Sequence, residues 1–325
     1  MNEHTTESGG YTLALRRFPS ATRAVAPGSR PVLLVPGYGM NSFIFSYHPG
    51  GLSLVHSLAD ASLDVWTVDL RGQGESKRAG DPTHAYGLAD LAFEDVPRAA
   101  AKVREITGSP RIDLVGCSLG AALTFAHLAR DPAAAAREVG SVVALAGLVT
   151  WRDIHPLVRV AFASPRLAGA VRLTGTRELS RRALPVLARF ARPLLSAYIN
   201  PQTTDIREAE TMVRTVEDPS PRLNREIAEW VNRRELVVGD VNVSAYLREF
   251  RAPFQCVVPL QDRIVPAATA RLLYEQVGST DRELVEVGTA KAPVAHADLF
   301  LGRDMQTLVF QRVAAFLLSR AVSSS

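Results

Sequence analysis

One serine of the chain lies between two glycines at the end of a predicted strand. The segment Gly116-Cys117-Ser118-Leu119-Gly120 follows the apolar run RIDLV and precedes the alanine-rich sequence LGAALTFAHLAR. A G-x-S-x-G turn between a strand and a helix exposes the serine hydroxyl, and its glycines leave room for neighbouring backbone. The spacing therefore predicts that Ser118 is a nucleophile. The alternative is a tight turn whose serine takes no part in chemistry.

An aspartate and a histidine follow in the chain order that completes such a nucleophile. Asp262 comes after the predicted strand FQCVVPL, and His296 lies in the loop before the last predicted helix. Ser, Asp, His is one of the known orders of a nucleophile, an orienting acid and a general base. We predict these roles for Ser118, Asp262 and His296. Asp262 could instead only cap the helix that follows it.

A glycine-rich loop offers backbone donors for a negatively charged oxygen. The loop PGYGM follows the buried run PVLLV, and its glycines permit close approach of another segment. We predict that the N–H groups of Tyr38 and Leu119 form an oxyanion hole. Gly37, Met40 and Cys117, which flank these donors and the nucleophile, are candidate contacts for substrate. A plain glycine turn is the alternative for the loop.

The elements that must position these residues alternate between short β-branched runs and helical segments. This alternation predicts an α/β fold with a mostly parallel sheet flanked by helices. The predicted strands are Tyr11 to Phe18 at an edge, Pro31 to Val35, Val65 to Asp69, Arg111 to Val115, Ser141 to Ala146, Phe254 to Pro259 and Glu283 to Val287. The predicted helices are Leu52 to Ala59, Leu88 to Ile106, Leu119 to Arg130, Ala267 to Val277 and Asp304 to Leu318. We expect frayed ends at the first ten residues and at the terminal SSS.

The alternation stops in the middle of the chain, where the sequence is arginine-rich and punctuated by prolines. We predict a helical cap at residues 148–250, inserted into a core made of residues 1–147 and 251–325. One face of the segment Arg181 to Tyr198 could roof an apolar acyl pocket. The residues of this predicted face are Leu184, Leu187, Phe190, Leu194 and Tyr198, with Arg182, Arg189 and Arg192 elsewhere on the segment.

The basic cap leaves two interpretations open. Its arginines could contact an anionic lipid surface, as basic amphipathic helices do. They could also be ordinary solvated side chains on packed cap helices, and the sequence favours this second interpretation over peripheral membrane contact.

Composition and charge exclude several other classes of protein. Hydrophobic residues make up 47% of the chain and charged residues 22%, which is typical of a folded globular protein. The net charge of +4 and the interleaved arginines argue against nucleic-acid binding. Apolar stretches such as Val142 to Val149 are too short to cross a bilayer, and MNEHTTESGG lacks the features of a signal peptide, so we expect a cytoplasmic protein. Cys117 and Cys256 are too few for a disulfide framework or a zinc site, and we expect buried thiols.

Taken together, the motifs resemble the α/β-hydrolase superfamily over nearly the whole chain apart from the cap. The stretch NSFIFSYHPGGLSLVHSLADASLDVWTVDLRGQGES is similar to the corresponding part of acid lipases and polyhydroxyalkanoate synthases, which handle hydrophobic acyl groups. Pro36 departs from the histidine that usually precedes the oxyanion glycine, and Ser118 departs from the cysteine of the synthases. The resemblance implies the α/β-hydrolase fold and favours hydrolysis over polymer synthesis. It also identifies the turn around Asp69 and Arg71 as a recurrent structural feature.

These observations predict a serine hydrolase that cleaves a hydrophobic carboxylic ester, a small-molecule acyl substrate. In the predicted mechanism His296 removes the proton of Ser118 as its Oγ attacks the carbonyl, and water later releases the acyl group. Neither a metal nor an organic cofactor is required. Two alternatives stay open, an acyltransferase that uses the same three residues and a catalytically silent binding protein.

Overall fold

The computed structural model describes residues 1–78, 86–191 and 195–321, and a large sheet lies at its centre. The strands are β1 (Asn2–Ser8), β2 (Tyr11–Phe18), β3 (Pro31–Val35), β4 (Asp64–Asp69), β5 (Lys77–Arg78), β6 (Ile112–Cys117), β7 (Val139–Leu145), β8 (Val237–Val238), β9 (Val241–Asn242), β10 (Phe254–Pro259) and β11 (Arg282–Val287). The central sheet has the order β1-β2-β4-β3-β6-β7-β10-β11, with β5 paired to β2. The six strands β4, β3, β6, β7, β10 and β11 run parallel to one another. Strand β2 pairs antiparallel with β1, β4 and β5. The predicted α/β fold is confirmed.

The central strands are buried along their whole length because both faces of the sheet are covered. Every residue of β3, β4, β6, β7 and β10 is buried. Successive side chains of β3 enter opposite layers, with Leu33 and Val35 in one hydrophobic cluster and Val32 and Leu34 in the other. Helices on both faces are what parallel sheets require, and they explain why these strands are mostly apolar.

The helices are mostly short, and the helix that follows Ser118 has the limits that the sequence predicts. They are α1 (Phe43–Ser46), α2 (Leu54–Asp60), α3 (Leu88–Asp90), α4 (Val96–Thr107), α5 (Leu119–Arg130), α6 (Pro132–Glu138), α7 (Pro156–Ala161), α8 (Pro165–Ala170), α9 (Thr176–Phe190), α10 (Ala209–Met212), α11 (Pro221–Arg233), α12 (Val243–Tyr246), α13 (Ala267–Gln276), α14 (Asp298–Leu301) and α15 (Gln311–Ala321). Turns of π-helix cover Leu91–Asp95 and Gln306–Phe310, and a 3₁₀ turn covers Val213–Thr215.

The N-terminus corrects one expectation, since residues of the predicted frayed end form an edge strand. β1 pairs along its full length with β2, from Asn2 opposite Arg17 to Ser8 opposite Tyr11. The connection is the dipeptide Gly9-Gly10, and both glycines have positive φ angles, 52° and 79°. Two glycines with positive φ match the tight turn that antiparallel hairpins prefer. The other predicted frayed end, the terminal SSS, lies outside the described residues.

The segment between β7 and β10 contains helices α7 to α12 and the small hairpin β8-β9. Its later part packs into the main hydrophobic cluster through Leu223, Ile227 and Trp230 of α11. The helices α7 to α9 are more exposed, and α8 and α9 bury no residue completely in the described part of the chain. The boundaries 148–250 for a separate cap remain a prediction. In the described part of the chain, no helix combines the length and the hydrophobicity needed to cross a membrane.

Candidate active site

Ser118 lies at a strained turn between β6 and α5. Its backbone has φ 53° and ψ −118°, a conformation that L-residues rarely adopt. The flanking glycines are required sterically. A Cβ atom on Gly120 would lie 2.2 Å from the carbonyl oxygen of Val35, and one on Gly116 would lie 2.5 Å from the backbone nitrogen of Ala121. The Ser118 N–H donates to the carbonyl of Leu145 at 2.9 Å, which holds the turn against β7.

Asp262 and His296 form a buried hydrogen-bonded pair. The distance from His296 Nδ1 to Asp262 Oδ2 is 2.6 Å. The other carboxylate oxygen, Oδ1, accepts hydrogen bonds from the backbone N–H groups of Ile264 (2.7 Å) and Val265 (2.9 Å). Asp262 is 5% exposed and His296 is 2% exposed. The sequence presents helix capping and contact with the histidine as alternatives for Asp262. Both are present, because Oδ1 accepts from the backbone of the following segment and Oδ2 bonds to His296.

The topology brings these three residues to one edge of the sheet. Ser118 follows β6, Asp262 follows β10 and His296 follows β11, and β7 is the only strand between β6 and β10. Neighbouring strands lie about 4.8 Å apart, so the carboxyl ends of these strands are close together. No hydrogen bond joins Ser118 Oγ to His296 Nε2 in the described part of the chain. Such contacts are often long in the absence of substrate.

The loop after β3 lies directly against the serine. A Cβ atom on Gly37 would be 3.2 Å from Ser118 Cβ and 3.0 Å from the carbonyl oxygen of Cys117. Among the described residues, the backbone N–H groups of Tyr38 and Leu119 have no hydrogen-bond partner. Two unpaired N–H groups beside a serine are what an oxyanion would need, and α5 adds the positive end of its dipole.

Two other segments fix the position of this loop. Asp69, at the end of β4, accepts a hydrogen bond from the Ser42 N–H at 2.9 Å. From the opposite side, the Asn41 N–H donates to the Thr215 carbonyl, and the Glu217 N–H donates to the Gly39 carbonyl, each at 2.9 Å. The loop that offers the candidate donors is thus held between the sheet and the segment around Thr215.

Three side chains near the predicted oxyanion hole have different positions in the structure. Tyr38 donates its hydroxyl to Asn224 Oδ1 at 2.7 Å, and burial raises its pKa. Met40 is buried and pairs with Val216 in an isolated bridge. The Cys117 side chain is completely buried on the face of the sheet opposite α5, and its contact with substrate stays a prediction. As predicted, both cysteines are buried thiols, and burial raises the pKa of Cys256 to about 12.

Asp298 is a positioning residue that the sequence did not reveal. It is completely buried two residues after His296. Its carboxylate accepts hydrogen bonds from the Ala295 N–H (2.8 Å), the Asn200 N–H (2.9 Å) and the Thr204 hydroxyl (2.6 Å). Burial raises its pKa, and these donors oppose the rise. Asp298 therefore joins the histidine loop to residues 200–204, which lie about 100 positions earlier in the chain.

Residues 195–204 contact both the loop that carries Asp262 and the loop that carries His296. The Ala297 N–H donates to the Tyr198 carbonyl at 2.8 Å, and the Arg263 N–H donates to the Ala197 carbonyl at 3.3 Å. The rings of Tyr198 and His296 have centroids 5.9 Å apart. This segment therefore closes the site on the side of the Asp262–His296 pair.

An apolar cavity of about 270 Å³ lies between α9 and the sheet edge. Its wall includes Ala297, next to His296, and Val216, the bridge partner of the loop after β3. Further lining residues are Ile44, Ser180, Ala183, Leu184, Leu187, Leu195, Tyr198, Ile199, Met212, Val213, Thr215 and Leu301. The cavity is smaller than most small-molecule pockets, which begin at about 300 Å³.

The predicted apolar face of the cap is correct only in part. Leu184, Leu187 and Tyr198 line the cavity, but Phe190 does not and is 77% exposed. Phe190 shares the outer face of α9 with Leu179 and Val186, at helical spacings of seven and four residues. Leu194 and Arg192 lie outside the described residues.

The described residues contain no cluster of three or more His, Cys, Asp or Glu side chains that could hold a metal ion. The arrangement is a buried serine at the sheet edge, a buried histidine–carboxylate pair, two unpaired N–H groups and an apolar cavity. The amino-acid sequence matches the family model for the alpha/beta hydrolase fold over residues 30–216, more than half of the chain. The chain belongs to the α/β-hydrolase fold family.

Individual relatives of this α/β hydrolase include lipases. The protein named Lipase lipl-3 from Caenorhabditis elegans is 29% identical over 158 residues, which cover 46% of this chain and 39% of that protein. The chain thus spans about two fifths of the length of this curated relative. Two solved structures share the fold at low identity, a monoacylglycerol lipase from Paleococcus ferrophilus and the haloalkane dehalogenase DbeA from Bradyrhizobium elkani. The lipase has a TM-score of 0.58 at 17% identity, covering 95% of this chain and 99% of that one. The dehalogenase has a TM-score of 0.62 at 18% identity, covering 99% of each chain.

The close packing at the serine turn predicts that Gly120→Ala destabilises the protein. The added methyl group would meet the carbonyl oxygens of Val35 and Pro36 at 2.2 and 2.6 Å, and backbone must move to accept it. We expect the free energy of unfolding to fall by about 1–3 kcal/mol or more in chemical denaturation. Gly50→Ala is the control, because nothing lies within 4 Å of its Cβ position. Equal denaturation midpoints for both variants would contradict the described turn.

The buried carboxylate after the histidine predicts a second effect on stability. Asp298→Asn replaces an acceptor of three donors with a group that itself presents N–H to them. We expect a loss of about 1–3 kcal/mol in the free energy of unfolding, since a buried donor is left unpaired. Asp304→Asn, a change at an exposed aspartate six residues further along the chain, is the control and should leave denaturation unchanged. A stable Asp298→Asn protein would show that these bonds contribute little.

Proposed function

We propose that this α/β hydrolase is a serine hydrolase that cleaves a hydrophobic carboxylic ester through Ser118, His296 and Asp262. The observation that carries the proposal is the buried Asp262–His296 hydrogen bond of 2.6 Å at the same sheet edge as the strained Ser118 turn. A buried carboxylate on Nδ1 fixes the tautomer in which Nε2 can accept a proton. A haloalkane dehalogenase shares the fold, so the fold alone does not decide the chemistry.

The proposed reaction gives each group one role. Ser118 Oγ attacks the ester carbonyl while His296 Nε2 takes its proton, and Asp262 stabilises the imidazolium that forms. The N–H groups of Tyr38 and Leu119 donate to the oxyanion of the tetrahedral intermediate, and each such donor typically lowers the barrier by about 3–4 kcal/mol. His296 then protonates the leaving alcohol. Water, activated by the same histidine, releases the acyl group from Ser118.

The apolar cavity supports a hydrophobic acyl group as the substrate. It begins at Ala297, beside the base, and its wall is formed largely by aliphatic side chains of α9 and the sheet edge. Burial of methylene groups there would contribute about 0.8 kcal/mol each to binding. The relative from Caenorhabditis elegans is named a lipase, which agrees with such a substrate. A cytoplasmic location remains an expectation from the sequence.

The proposed nucleophile predicts covalent labelling by a fluorophosphonate. Intact-mass analysis of the folded protein should show one added phosphonyl group, and Ser118→Ala should abolish it. His296→Ala and Asp262→Asn should slow both labelling and ester hydrolysis. For Asp262→Asn we expect ester hydrolysis to fall by up to about 10⁴-fold. Ser180→Ala, a serine in the cavity wall, serves as the control and should label normally. An unlabelled, folded wild-type protein would contradict the proposal and favour a binding role.

A second measurement separates a hydrolase from an acyltransferase. With an ester substrate and an added alcohol, a hydrolase should give mainly the free acid, whereas an acyltransferase should give mainly the new ester.

The cavity predicts a dependence on acyl chain length. Leu187 faces the cavity, whereas its neighbour Val186 is 56% exposed on the outer face of α9. Leu187→Trp should fill the cavity and move the preferred p-nitrophenyl ester from medium to short chains, with acetate hydrolysis retained. Val186→Trp is the matched control and should keep the wild-type preference. An unchanged preference in Leu187→Trp would exclude this cavity as the acyl site while leaving the Ser118 chemistry untouched.

A further inference from the structure

The outer surface of helices α7 to α9 carries an unusual number of exposed hydrophobic side chains. Thirteen large hydrophobic side chains are exposed in the described part of the chain, and eight of them lie between Leu157 and Phe190. The most exposed of these eight are Phe190 (77%), Val160 (76%), Leu167 (69%) and Leu179 (68%). Scattered exposed aliphatics are normal on a protein, but such a concentration in one short segment marks an interaction surface.

The same segment is strongly basic. Between residues 157 and 191 the chain has seven arginines and one acidic residue, Glu178. Three of the arginines pair with acids: Arg177 with Glu217, and Arg181 and Arg182 with Glu178. The other four, Arg159, Arg166, Arg172 and Arg189, have no acidic partner among the described residues. Their charge is available to an anionic partner.

The charged and apolar side chains are interleaved on the outer side of the segment. On α9, Leu179, Arg182, Val186 and Phe190 follow one another at spacings of three or four residues and so share one helical face. The Arg189 guanidinium lies 5.3 Å from the Phe190 ring centroid. An exposed helix face of aliphatic, aromatic and arginine side chains is typical of helices that lie in the headgroup region of a bilayer.

The inner side of the segment faces the candidate active site. Phe162, at the end of α7, contacts Tyr38 with ring centroids 6.0 Å apart, and Leu184 and Leu187 of α9 line the apolar cavity. The exposed side chains therefore lie on the other side of the same helices that contact Tyr38 and form part of the cavity wall. A flat apolar surface bound there would lie next to the cavity.

We propose that the outer surface of α7 to α9 binds an anionic lipid bilayer. The unpaired arginines contact acidic headgroups, and the exposed side chains Val160, Leu167, Leu179 and Phe190 enter the region between headgroups and acyl chains. Charge complementarity selects a lipid surface over a second copy of this chain, because the same basic segment on two copies would repel. Binding needs no chemistry at Ser118, so it is independent of the proposed function.

The test is flotation of the full chain with vesicles of ether-linked lipids, which an esterase cannot cleave. Vesicles of phosphatidylcholine alone are compared with vesicles that also contain phosphatidylglycerol. We expect binding to the anionic vesicles, weakened by high salt, and the same binding by Ser118→Ala. The double variant Arg159→Gln/Arg166→Gln should lose about fivefold in partition coefficient for each arginine. Val160→Ser/Phe190→Ser should lose about tenfold or more.

A matched control keeps the result specific to this surface. Leu308→Ser/Arg312→Gln removes one exposed hydrophobic residue and one exposed arginine from the C-terminal segment and should bind as wild type. Equal binding to neutral and anionic vesicles, or equal loss in the control, would overturn the proposal. Analytical ultracentrifugation completes the test. A dimer that Val160→Ser/Phe190→Ser abolishes, with no vesicle binding by the wild type, would assign the surface to a second copy.

Discussion

The left-handed backbone of Ser118 is the constraint on which the rest of the site depends. A non-glycine residue in such a conformation costs of the order of 1–3 kcal/mol, and it persists only where the surroundings determine it. Here the strain is balanced by the hydrogen bond to Leu145, by the burial of β6 and by the immediate start of α5. The same turn directs the Leu119 N–H and the helix dipole toward the serine. Gly116 and Gly120 are needed because no other residue type leaves room for this crossing of strand and helix.

Much of the core could be predicted because the physical signals were local. Strands Pro31–Val35 and Phe254–Pro259 and helix Leu119–Arg130 have the predicted limits. Strands buried on both faces give uniform apolar runs, and a helix that follows a glycine turn has a defined start. The missed strand Asn2–Ser8 had a local signal too, the Gly9-Gly10 turn, but its polar residues resembled a frayed end.

The errors in the cap arose where the pattern had no unique solution. Helix α9 has hydrophobic residues on two sides, so periodicity alone did not show that Phe190 faces outward while Leu187 faces the cavity. Asp298 was missed for another reason. Its partners Asn200 and Thr204 are 98 and 94 residues away in sequence, and no local pattern predicts bonds at that separation. Long-range polar contacts of this kind become visible only in the fold.

The hydrogen bonds of residues 195–204 divide the region above the sheet into a fixed and an independent part. An outward movement of this segment would break its bonds to Ala297, Arg263 and Asp298, and it would release the histidine loop. In the described part of the chain, no hydrogen bond links α7, α8 or α9 to the loops that carry Asp262 and His296. A displacement of α7 to α9 would therefore leave the hydrogen bond between His296 and Asp262 intact. Sequence changes on these helices can then alter the wall of the cavity without altering the Asp262–His296 pair.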